Sequence, residues 1–426
     1  MKIEITHAHI VDPANNINQI SNLYIHDQTI AAVGKAPEGW EADQQIDAKG
    51  CYLFPGLVDL ACRLREPGQQ HKATIASETY AAVSGGVTSV VCLPDTEPTI
   101  NSPAEVELIQ QRTHSTGHCR VYIIGALTSN LQGNMLSEMA ALKEAGVVGV
   151  SNVLHPMANN LVLRRAMEYA SSQGLTLFYH PMDHHLASHG CIHEGISATR
   201  MGLAGIPTAA ETAAVGSCLA LIEQTGVQVH FCRLSTQRAM QILERAKFDG
   251  APISADISAH QLFLSDIDIT EFDGNYHVLP PLRSRTDVAG LRLKLRSEIL
   301  AGLCSDHQPH EPDAKLAPFA STEPGISALE TLLPLALKLV KDEVASLPEV
   351  ISLLTCKPAR LLNIKAGNLS PGQAADLCIC DPSIEWQLKA ELMKSSGKNT
   401  PFLNKTFKGK VTHTFVNGKL AFESKL

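Results

Sequence analysis

The chain has 426 residues, room for one large domain and a smaller one, and 44% of them are hydrophobic, which excludes a disordered chain. Its formal net charge is −8 and it carries no long basic run, which excludes nucleic acid as the main partner because phosphate binding draws on clustered Lys and Arg. No apolar stretch reaches the roughly 20 residues that cross a bilayer, so no membrane span is expected.

Residues 1–54 contain the alternating runs IEITHAHIVD, NLYIHDQTIAAVG and CYLFPG, with Asn, Asp and Gly between them, and so predict strands. The first run lacks the apolar centre of a signal peptide. The middle of the chain has another rhythm. FPGLVD, TSVVCLPD, RVYIIGA, VVGVSN, LTLFYH, VQVHFCR, PISADIS and LCSDH are short apolar runs suited to buried strands. Between most of them lie helix-periodic segments: TIASETYAAVSG, AEVELIQQR, MLSEMAALKEAG, LVLRRAMEYASSQG, AAETAAVGSCLALIEQTG and TQRAMQILERAK. Eight such repeats predict a (β/α)8 TIM barrel over residues 55–365. An open doubly wound sheet is the alternative, weakened by the lack of a Gly-rich dinucleotide loop after the first strand. Beyond residue 370, ADLCICD and GKVTHTFVNGKLAFE return to alternation, and Asn417-Gly418 is a hairpin signal. The β-rich ends, 1–54 plus 366–426, predict one small composite β-sandwich domain.

The 11 cysteines are scattered without a CxxC pair, so neither a zinc knuckle nor a disulfide framework is indicated, and a reduced cytoplasmic protein is expected. Cys378 and Cys380 read as same-face strand residues, as do His7 and His9. His185, His189 and His193 have helical spacing, but Gly190 interrupts a metal stripe. TIM-barrel sites sit at the C-terminal strand ends. There the sequence places Asp59 to Arg65, Asp95, Asn152, His180, Arg233, Asp256 to His260 and Asp306 to His310, a density of polar groups that a purely structural barrel does not need.

FPGLVDLACRLREPG resembles the opening signature of the dihydroorotases, cyclic-amide hydrolases of the amidohydrolase superfamily. The resemblance continues in order through GGVTSVVCLPDTEP, YHPMD, GCIHEG, GLAGIPTAAE, VHFCRLST, VLPPLRS, CSDHQPHEPDAK, EPGISALETLLPL and PGQAADLCICDP. It implies a (β/α)8 barrel with a composite β domain, and reversible closure of carbamoyl-aspartate to dihydroorotate. That reaction needs a zinc ion to activate water and polarise the carbonyl.

The resemblance also shows what is missing. The family's metal-binding HxH falls on Ala61 and Arg63, which cannot ligate a metal. Its carboxylate falls at or near Asn152, and its second histidine on Arg233. His180 matches a retained metal histidine, and Asp306 the aspartate that binds metal and shuttles a proton. Too few ligands remain for catalytic zinc, so no cofactor is expected. In the substrate pocket, Arg65 and His310 match substrate-contacting positions, while Asp95 and Leu279 replace two asparagines. Arg63 and Arg233 are expected to pair with Asp95 and Asp306 in place of the metal. Glu66 is expected to support its loop.

Among such proteins, the chain resembles the non-catalytic dihydroorotase homologues that assemble with aspartate transcarbamoylase. The resemblance thus implies an inactive structural subunit for the aspartate transcarbamoylase catalytic chain in pyrimidine biosynthesis, within a homo- or hetero-oligomer. A divergent cyclic-amide hydrolase is the alternative, and a sensor of a pyrimidine precursor acting through Arg65 and His310 a third reading.

Overall fold

Residues 1–424 are described in a computed structural model. The chain opens with β1 (Lys2–Asp12), β2 (Ile17–His26), β3 (Thr29–Val33), β4 (Gln44–Asp47) and β5 (Tyr52–Pro55). Next come β6 (Leu57–Cys62), β7 (Val87–Cys92), β8 (Arg120–Ala126), β9 (Gly149–Ser151) and β10 (Leu177–Tyr179). A two-stranded excursion, β11 (Ile192–His193) and β12 (Gly205–Ile206), precedes β13 (Val229–Phe231), β14 (Ile253–Ser258) and β15 (Leu300–Cys304). The chain returns to β structure in β16 (Leu377–Gln387), β17 (Thr406–Val416) and β18 (Lys419–Glu423).

Strands β6, β7, β8, β9, β10, β13, β14 and β15 follow one another in a parallel sheet, one for each run read from the sequence. All residues of β6 and β7 are buried, as a parallel sheet covered by helices requires. The sheet is closed by main chain at its mouth: His307 N–H donates to Ala61 O at 3.0 Å, and Arg63 N–H donates to His307 O at 2.9 Å. Buried Asp59 reinforces the seam by accepting from the Ser305 amide (2.7 Å) and hydroxyl (2.5 Å).

The helices are α1 (Ile75–Ser84), α2 (Pro103–Thr116), α3 (Met139–Glu144), α4 (Asn160–Ser172), α5 (His184–Ala187), α6 (Ile196–Met201), α7 (Thr208–Thr225), α8 (Gln237–Phe248), α9 (Arg285–Leu293), α10 (Leu329–Lys341), α11 (Leu347–Leu354) and α12 (Cys356–Leu361). Their starts are set locally: Thr74 with Ser77, and Ser102 with Glu105 ahead of α2, form reciprocal caps, and Asn159, Thr236 and Ser284 cap α4, α8 and α9. The expected helix MLSEMAALKEAG is shortened to α3. Its first residues bridge back to Thr128 through Leu136, and the Ser137 hydroxyl donates to Ala126 O at 2.5 Å, so side-chain and strand-type bonds displace the first helical turn.

Both ends of the chain share the second sheet, ordered β18-β17-β16-β5-β1-β2-β3, with β4 also on β1. Leu377 and Ile379 of β16 join the core of this sheet, whereas Cys378 and Cys380 face the barrel helices, the alternation expected of CxC on a strand. Asn417 and Gly418 both have positive φ (50° and 69°) in the tight β17–β18 turn, as the Asn-Gly signal requires. Among the described residues no helix is long and apolar enough to cross a membrane.

Candidate functional site

The polar strand ends converge on the barrel mouth. Ala61 is buried at the end of β6 and offers no ligand atom. Two residues on, Arg63 Nε donates to Asp95 Oδ2 at 2.6 Å, and its Nη1 lies 3.7 Å from Asp306 Oδ1. Arg233, two residues beyond β13, brings Nε to 3.6 Å from that same Asp306 oxygen. All four side chains are buried or nearly so. Two guanidiniums therefore flank one carboxylate, and one of them also binds a second.

The electrostatics follow from this arrangement. Burial opposes the charge of Asp95, but Arg63 outweighs it and holds the carboxyl below its ordinary range. Burial likewise opposes the charge of Arg233, and Asp306 outweighs it and raises the pKa. His180 is buried just past β10, and burial first, then Arg233, pushes its pKa well below 6.5. Its imidazole is neutral, and neither ring nitrogen has a hydrogen-bond partner. His260 is buried and unpartnered in the same way, with its pKa pushed down by burial to about 4.

The other expected positions are also accounted for. Asn152 spends its amide on the loops after β8 and β9: Oδ1 accepts from Thr128 Oγ1 at 2.6 Å, and Nδ2 donates to the carbonyls of His155 (3.0 Å) and Leu131 (3.3 Å). Arg65 donates to Pro309 O at 3.0 Å and to Gln69 Oε1 at 3.2 Å, and its Nη2 lies 3.0 Å from His310 Nε2. Lys72 Nζ stands 3.3 Å from the other ring nitrogen of His310. Burial, then Arg65 and Lys72, lower the His310 pKa to about 2, so this ring is neutral too. Burial and Arg63 bring Arg65 down to about 10. Leu279 stands apart, packed in a small apolar cluster with Ala187, Ile206 and Ala210. Glu66 accepts from Ile75 N at 2.9 Å and holds the start of α1.

Several contacts of these strand ends were not read from the sequence. His307 donates through Nε2 to buried Glu78 at 2.6 Å and accepts the Ala328 amide at Nδ1. Glu78 also accepts from Ser395 and Ser396, so this pair ties the end of β15 to α1 and to a distant loop. His230 bridges Ser254 Oγ and Asp256 Oδ2, each at 2.9 Å. With Cys232 this pair forms a compact His–Cys–Asp group, but burial raises the thiol pKa and the imidazole and carboxylate already satisfy each other. The signal for these contacts is thin, because polar residues inside strands can point to either face.

Neither the His7 and His9 pair nor the trio His185, His189 and His193 forms a metal-binding group among the described residues. His7 lies inside a bulge of β1 and His9 just beyond it, bonded to Asp47 (3.1 Å) and Asn18 (2.8 Å). His185 lies on the single turn α5, His189 in a loop and His193 in β11, so their helical spacing is not realised.

Of the positions that match a zinc site, only His180 and Asp306 carry ligand atoms aimed at the mouth, and two guanidiniums crowd Asp306. The residues present do not fit a catalytic zinc, which takes three protein ligands and water.

Solved structures share the fold. An L-hydantoinase (dihydropyrimidinase) from Arthrobacter aurescens matches with a TM-score of 0.89 at 21% identity, covering 99% of this chain and 96% of that one. The family profile described as "Dihydro-orotase-like" matches residues 50–239. A "Dihydroorotase-like protein" from Pseudomonas aeruginosa is 44% identical over 423 residues, 99% of this chain and all of the relative. A protein named "Dihydroorotase" from Syntrophotalea carbinolica is 38% identical over 99% of each chain. With full-length identity at this level on a barrel of this type, the chain belongs to the dihydroorotase-like family of the amidohydrolase fold.

Proposed function

We propose that this protein is a catalytically inactive dihydroorotase relative that serves in the cytoplasm as a structural subunit for the aspartate transcarbamoylase catalytic chain in pyrimidine biosynthesis. The observation that carries this reading is the placement of Arg63 and Arg233 on Asp306. A hydrolase of this family needs that carboxylate free for metal and proton, whereas here it is held between two fixed cations. A dication placed beside both guanidiniums would be strongly repelled in a site this dry. The intact barrel and terminal sheet support a role carried by the surface, and the full-length likeness to a relative named dihydroorotase-like is compatible with it.

The test measures metal content and hydrolysis of dihydroorotate and simple hydantoins on one preparation, with and without added zinc. The reading expects neither stoichiometric metal nor turnover. Bound zinc with turnover abolished by Asp306→Ala would overturn it. A second reading, a divergent cyclic-amide hydrolase, draws on the unpartnered His180 and His260 as groups free to contact a ligand. The same assay decides between them.

A further inference from the structure

A groove of about 930 Å³ runs away from the zinc-site residues, between the loop after β14, helix α10 and the β16–β17 face of the terminal sheet. Its half-buried floor includes Phe263, Leu264, Tyr276, Leu337, Val340 and Leu347. Ile267 stands 46% exposed among its lining residues, and Phe272, close by in sequence, is 50% exposed. Apolar surface left open in this way marks an interaction site.

The charge on the rim points to the occupant. Lys338, Lys341, Lys405 and Lys408 all line the groove and are exposed. Lys338 is paired with Asp342 at 3.0 Å, while Lys341, Lys405 and Lys408 enter no ion pair among the described residues. The carboxylates of the lining are Asp268, engaged in capping Ser265 at 2.8 Å, and Glu385, opposite Lys408 in the sheet register. A chain with net charge −8 thus concentrates positive charge around its open apolar groove. The cations come from two separate elements, Lys338 and Lys341 from α10 and Lys405 and Lys408 from the start of β17 and the residue before it, which suits a polypeptide segment better than a compact metabolite.

We infer that this groove docks an acidic amphipathic segment of the partner protein, apolar side chains on the floor and carboxylates against the lysine rim. The inference rests on the assembly reading above and gives that assembly a surface. Rim lysines would speed encounter with an acidic segment and make it salt-sensitive, while the apolar floor would hold it.

The experiment follows binding kinetics between the full-length chain and the aspartate transcarbamoylase catalytic chain, at low and high salt. Lys405→Glu with Lys408→Glu is compared with Ile267→Asp and with Lys247→Glu on α8, outside the groove. The substituted side chains are exposed, and a thermal melt confirms folding, with Lys405→Gln and Lys408→Gln as a milder pair. The double reversal is expected to slow association by about tenfold or more and flatten its salt dependence. Ile267→Asp is expected to speed dissociation, and Lys247→Glu to change little. A complex that forms equally well with every variant overturns the groove and leaves the assembly reading standing. Absence of a complex with the unmodified chain overturns both. Loss of self-association in the variants with transcarbamoylase binding unchanged would assign the groove to a second copy and also overturn the inference.

Discussion

Arg233 and Asp306 meet at 3.6 Å from backbones that both lie in the left-handed region, with φ of 55° and 50°. Arg65 shares this geometry, with φ of 62°. Non-glycine residues avoid that region, and such outliers gather where surrounding structure imposes a side-chain direction. Here it turns both arginines and the aspartate at the strand ends into the mouth.

This arrangement makes Asp306 a charge anchor. Asp306→Asn removes the carboxylate shared by Arg63 and Arg233 and leaves Arg233 without an anionic partner within ion-pair distance among the described residues. Urea unfolding is expected to show a loss of about 3–5 kcal/mol, typical of breaking a buried pair. A loss near zero would show that the three groups are not coupled.

Restoring ligands should restore metal binding. Ala61→His, Arg63→His and Arg233→His together would surround Asp306 and His180 with imidazoles in place of two cations. Added zinc is expected to raise the melting temperature of this triple variant and leave the parent unmoved, since binding to the folded state alone stabilises it. An equal zinc response in the parent would argue against the arginine substitution of the metal.

The buried neutral histidines set an acid limit. His260 and His310 have folded pKa values of about 4 and about 2, against 6.5 when unfolded. Between pH 6.5 and 4 the unfolded chain therefore binds more protons, and stability falls as pH falls. Each such histidine contributes a slope approaching about 1.4 kcal/mol per pH unit inside that window. His260→Leu is expected to remove its share of the slope, measured by urea midpoints across the window.

Asp59 acts with the opposite sign. Burial lifts its pKa to about 7 from 3.8, so the folded chain holds a proton that the unfolded chain has released. Its contribution is complete below pH 3.8 and is lost as pH rises toward 7. Asp59→Asn, which can still accept the Ser305 amide bond, should reduce the loss of stability on raising the pH through that range, read from melts at several pH values.

Much of this was legible in the primary structure, for identifiable reasons. All eight barrel runs became strands because parallel strands buried on both faces read as short, mostly apolar segments without a polar-out alternation, such as LVDLAC and VTSVVC. Asn417-Gly418 located its hairpin because few other pairs accept two positive φ values. The expected ion pairing of Arg63 and Arg233 with Asp95 and Asp306 is present, and the structure adds which meets which: Arg63 reaches both carboxylates and Arg233 reaches Asp306. What could not be read depends on partners remote in the chain. His307 meets Glu78 across 229 positions, and the groove is assembled from segments around residues 263, 338 and 405. Helices α9 to α12 were not drawn from periodicity; α10 carries Pro334 inside its span, a residue that ordinarily ends a helix.

The main-chain closure of the barrel bears on why such a site could be lost at all. Ala61 and Arg63 stand where the family's metal histidines belong, yet their carbonyl and amide are what bond His307 and join the first strand to the last. The closure itself asks only for peptide groups at these two positions, whichever side chains they carry. Chemistry and closure thus occupy the same residues in separable atoms, so one can drift away under mutation while the other stays whole.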